Sequence, residues 1–140
     1  MVLPLAGAAL LVAAEFSTLY EVVVVTTVPE GGSFSAGGHH GYALAAIAAG
    51  IVLMTFGAVL GGSRPAAVAV LILALAALAI ALAVDLPDVH ETGLIGDTYD
   101  AAQAEPRVGL YLEIVGGCAA LVGAALILVA RPEGRARYQR

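Results

Sequence analysis

Two acidic residues stand where a chain this apolar should carry none. Glu15 lies in the run Val2–Leu19 and Glu113 in the run Val108–Ala130. Counted from Tyr20 and Arg107, both sit about 7–9 Å inside the outer edge of a helix rising about 1.5 Å per residue. A carboxylate in hydrocarbon costs about 2.5–3.5 kcal/mol at the centre and less near the interface, so each should face protein and find a partner. Arg107 stands at the mouth of the last run and is expected to bridge one or both acids, with Tyr20 and Tyr111 as further donors. On that reading Arg107→Gln destabilises far more than Arg64→Gln. The functional alternative is a protonatable pair on a proton or cation path.

A second group gathers outside the apolar runs. His39, His40 and His90 accompany Asp85, Asp88 and Glu91. Imidazole with carboxylate can ligate zinc, copper or nickel, which makes His39, His40, Asp88 and His90 a candidate metal set. Their spacing matches no ligand signature, so solvated loop polarity is the leading reading, with pH sensing a further alternative. Other chemistry is missing. Cys118 is the sole cysteine and reads as a packing residue. No serine sits in a triad context, and the glycines of 31–41 follow no phosphate-loop pattern. No cofactor and no nucleic acid are expected, since the arginines of the tail suit anionic lipid. The chain reads as a non-enzyme.

These groups must be positioned by four apolar runs, Val2–Leu19, Tyr42–Leu60, Ala66–Val84 and Val108–Ala130, each close to the roughly 20 residues that cross a bilayer. In 140 residues, 61% hydrophobic and 12% charged, little mass remains for anything else. The expected fold is all-α and membrane-embedded: an antiparallel four-helix transmembrane bundle, left-handed, with a small extracytoplasmic cap of loops and short β-strands. It forms one domain with spans at about 2–20, 42–60, 66–84 and 108–130, outer loops at 21–41 and 85–107, and a tail at 131–140.

Six arginines and no lysine supply the fixed positive charge. Arg131, Arg135, Arg137 and Arg140 follow the last run, and Arg64 lies in the turn 61–65. Basic residues are retained in the cytoplasm, so both termini and Arg64 are placed there and the acidic loops outside. A cleaved signal peptide over the first run is the rival reading, and it would leave three spans. The stretch 21–28, wholly β-branched after Glu21, favours an outer strand over a continued helix. The segment 29–41 is rich in turn formers, and Gly61–Pro65 closes a helical hairpin.

Small residues mark close approach between membrane helices. Gly50, Gly57 and Gly61 lie along the second run, and Gly116 and Ala120 along the fourth. They are expected to pack within the bundle, or else to receive a second copy or another membrane protein.

The order of features carries a resemblance. A first span runs into Tyr20-Glu-Val-Val-Val-Val-Thr-Thr-Val28, followed by Gly31-Gly-Ser-Phe-Ser35, a Gly-Ser-Arg-Pro hairpin, and a last span opening Gly109-Leu-Tyr-Leu. This layout resembles uncharacterised small four-span membrane proteins of high-GC Gram-positive bacteria, and is similar in plan to claudin-like tetraspans. The resemblance implies the fold and a multi-pass cell-membrane address, and no activity. Together these features lead to a non-enzymatic membrane protein that supports assembly, scaffolding or envelope organisation of a partner. A small transporter or channel subunit and an extracytoplasmic metal or pH sensor are the alternatives.

Overall fold

A computed structural model describes residues 1–130 of the chain, which are mostly helical with one small sheet. Helix α1 covers Val2–Glu15, α3 Ala43–Val59, α4 Arg64–Ile80 and α7 Val108–Val129. These four long helices pack side by side, α1 against α3 and α7, and α4 against the same two. Their shared core is small and aliphatic: Ala8, Leu11, Leu44, Ile51, Val70, Ala74 and Ala120 are buried in one cluster.

Two helical stretches, Arg64–Thr98 and Val108–Val129, are long and apolar enough to cross a membrane. Helices α1 and α3 are apolar but shorter, at 14 and 17 residues. Length and composition therefore support two crossings where four were expected. The first run departs furthest from expectation: helix stops at Glu15, not near Tyr20, and Tyr20 belongs to a strand. The cause is local. Thr18-Leu-Tyr-Glu-Val-Val-Val is dense in β-branched and aromatic residues that lose side-chain freedom in a helix and gain cross-strand packing in a sheet.

That stretch is strand β1, Thr18–Val24, the centre of an antiparallel sheet ordered β2-β1-β3, with β2 at Ser33–Ser35 and β3 at Ala102–Pro106. The strand expected over 21–28 thus begins earlier and ends at Val24, where Val25 turns with positive φ and Val24 pairs with Thr27. Tyr20 stacks on Phe34 across the β1/β2 pair, ring centroids 4.6 Å apart. Beneath the sheet, Leu19, Tyr20, Val22, Ala36, Val89 and Leu110 form a second buried cluster.

Every helix end on this side leads into the cap. The sheet's centre follows α1, and β3 leads into α7. A short helix α2, Ala36–His40, opens on Ser35, whose hydroxyl accepts from the Gly38 N–H, and precedes α3. Helix α4 continues through a π-turn, Ala81–Asp85, into the short helix α5, Leu86–Asp88; α6, Gly93–Thr98, completes the cap. At the opposite end, Ser63 caps α4 by accepting from the Ala66 N–H, with Pro65 in its first turn.

Glycine sets the closest helix pair. A Cβ on Gly7 of α1 would meet the Gly116 carbonyl of α7 at 2.5 Å and the Ala120 nitrogen at 2.6 Å, so the two backbones touch. Gly123 makes the same approach to Pro4. Gly50 faces Leu73 of α4, while a Cβ on Gly57 would meet the Ala66 methyl at 3.4 Å, an ordinary van der Waals contact. Gly61 does not serve as an interhelical contact. It lies exposed past the end of α3, where the helix has already turned toward Ser63, and its near neighbour is the Gly57 carbonyl of its own segment.

A candidate acidic site at the seam between helices and cap

The acids in the apolar runs come together, and a third joins them. Glu15 is the last residue of α1, Asp85 closes the π-turn after α4, and Glu113 sits on the second turn of α7. All three are buried, with relative exposures of 2%, 0% and 0%. Helix α3 contributes backbone instead. Its first-turn N–H groups lack partners within the helix, and the one on Ala45 donates to Glu15 Oε1 at 3.1 Å. The carboxylate thus joins the C-terminus of α1 to the N-terminus of α3, where the helix dipole favours negative charge.

The remaining oxygens are less well served. The side chain of Glu113 faces that of Asp85 closely enough to interact and lies in the field of Glu15. Even so, neither Glu113 oxygen, nor Glu15 Oε2, has a hydrogen-bond partner of ordinary geometry among the described residues. Three full negative charges would be untenable here. Like charges about 4 Å apart repel by about 4 kcal/mol even at an effective dielectric of 20, and each buried anion adds its own desolvation cost.

The expected arginine clasp is absent. Arg107 turns along the sheet, its Nε donating to Glu21 at 2.7 Å and its Nη2 pairing with Glu105 at 3.2 Å. The register explains why. Glu21 and Glu105 are directly opposed across β1 and β3, a like-charge pair that destabilises a sheet unless a cation lies between. Arg107, two residues beyond Glu105, supplies it. Tyr111 is exposed.

Sequence reasoning missed Asp85, which was placed in the outer loop. The signal was faint: the apolar run continues to Val84, and only the wider winding of Ala81–Asp85 carries the next residue inward. π-turns recur at functional sites because they re-aim a side chain without ending the helix.

On the outer surface, His39 Nε2 meets Asp88 Oδ2 at 2.8 Å, so two of the four metal candidates do touch. His90 is exposed, and the His40 side chain lies outside the described residues. Among the described residues no three His, Cys, Asp or Glu side chains, the buried acids included, are arranged to hold a metal ion. Nearby, the Tyr20 phenol is held above its ordinary range by burial first, then by the negative charges of Asp88, Glu91 and Asp85. Cys118 is exposed on the outer surface of α7. The tail arginines Arg131, Arg135, Arg137 and Arg140 lie outside the described residues. No family model, curated protein or solved structure matches this chain.

Proposed function

We propose that this chain is an integral membrane protein of four spans, without enzymatic activity, that supports the assembly or organisation of a partner in the cell membrane. In this reading α1 and α3 cross with α4 and α7, β1 carrying the first crossing to the surface beyond Glu15. Both termini and Arg64 lie in the cytoplasm, and the sheet and α6 face outward as a recognition head. The observation that favours a scaffold is the sealing of the acids: at 0–2% exposure they line no open hydrated route. The bundle then presents its apolar outer surface to lipid and its cap to a membrane protein or a second copy of itself.

The second reading, a small transporter subunit using Glu15 and Glu113, draws on the same cluster, because three acids with no buried cation among the described residues suit proton handling. One pair of measurements separates the two. Photocrosslinkers placed at Ser33 in the native membrane should yield one discrete adduct, unchanged by Glu15→Gln. Purified chain in proteoliposomes should pass protons no faster than empty vesicles. Proton flux above that background, abolished by Glu15→Gln, overturns the scaffold in favour of the transporter.

A further inference from the structure

The fold spends four separate segments on delivering carboxyl groups, or a donor to one, to a single buried place. Glu15 ends α1, the Ala45 N–H opens α3, Asp85 comes from the π-turn, and Glu113 from α7. Both Glu113 oxygens are fully buried and lack a partner of ordinary geometry among the described residues, while the side chain faces Asp85. An acceptor-only carboxylate in that position has nothing to accept from. A carboxyl that keeps its proton becomes a donor, and the neighbouring carboxylate is the natural acceptor.

Among the described residues the surroundings supply no competing cation. Arg107, the nearest fixed positive charge in sequence, is held by Glu21 and Glu105 on the sheet. Tyr20 of β1 feels the charge of Asp85 together with Asp88 and Glu91. Asp88 in turn meets His39 of α2 on the exposed side. The described part of α3 contributes no titratable side chain beyond Tyr42 at its start.

We propose that Glu15, Asp85 and Glu113 form a proton-binding site at the seam between the helices and the cap, and that losing the shared proton loosens this seam. The ligand is a proton exchanged between Glu113 and Asp85, with Glu15 anchored by Ala45 as the third wall. When the proton leaves, like charges oppose one another on α1, the π-turn and α7, each within a few residues of a cap element. The proposal needs no partner and stands or falls apart from the scaffold reading.

The test uses the full chain in detergent with dicyclohexylcarbodiimide, an apolar reagent that captures carboxyl groups still carrying their proton. The carboxyl O–H adds across one C=N bond, oxygen bonding to carbon and the proton passing to nitrogen, and the product rearranges to a stable N-acylurea. Peptide mass spectrometry at neutral pH should find the adduct on Glu113 or Asp85, with Glu21 and Glu105 unmodified. Labelling should be lost in the Asp85→Asn, Glu113→Gln double variant. Separately, the melting temperature of the wild type should fall as rising pH removes the shared proton. Glu113→Gln, a permanent stand-in for the protonated acid, should show no such shift; if that variant does not fold, Glu15→Gln should show a reduced one. Absence of any adduct on the three acids of folded protein overturns the site. Parallel pH shifts in wild type and variant overturn the coupling to the seam.

Discussion

At the scale of single residues, Arg107 shows what charge spacing can and cannot tell. Its depth relative to Glu113 was readable, but its direction was set by the sheet, where Glu21 and Glu105 oppose one another. Its side chain is 40% exposed, so solvent screens the pair and Arg107→Gln should cost about 1 kcal/mol or less in thermal unfolding. That is a much smaller difference from Arg64→Gln than a buried clasp would give. Thr55 makes the opposite case. Its hydroxyl is buried on α3 with no partner among the described residues, so the isosteric Thr55→Val should stabilise by about 1 kcal/mol, read as a higher melting temperature.

Tyr20 supplies a pH test. Because burial and nearby carboxylates raise its titration above the usual value near 10, the folded state favours the neutral phenol. The stability this contributes is whole below the ordinary tyrosine range and is lost as pH climbs through the raised folded value. Phenolate absorbance should reveal Tyr20 titrating late, and Tyr20→Phe should remove that late step along with the loss of stability above the ordinary tyrosine range.

At the scale of elements, the closest contact is α1 against α7, and it depends on missing side chains. Gly116→Val should push a branched side chain into the Gly7 carbonyl and Leu10 of α1, costing about 1–3 kcal/mol in detergent melts. Gly57→Ala, facing the Ala66 methyl at 3.4 Å, should be neutral or mildly stabilising. The Gly116 and Ala120 stripe was visible in the sequence; its counterpart Gly7 was not, because α1 reads as uniformly apolar. The apolar runs foretold α3, α4 and α7 to within a few residues. The end of α1 was misjudged since apolar character persists from helix into strand, and hydrophobicity alone does not distinguish Leu19 in a span from Leu19 under a sheet. Asp85 was hidden by the π-turn, which no residue type announces. Both errors fall at the seam, where local preference gives way to tertiary packing.

At the scale of the whole molecule, a ring of small-residue helices carries a three-stranded cap, and the acidic cluster lies where the two meet. The account rests on the chain threading the bilayer four times with that cap outside. Single cysteines at Ser33, Thr98 and Ser63 in a Cys118→Ser background, treated on intact cells with a membrane-impermeant maleimide, test it directly. The account predicts labelling at positions 33 and 98 from outside, and labelling at 63 only after the membrane is opened. Labelling at 63 on intact cells, or opposite behaviour of 33 and 98, would contradict it.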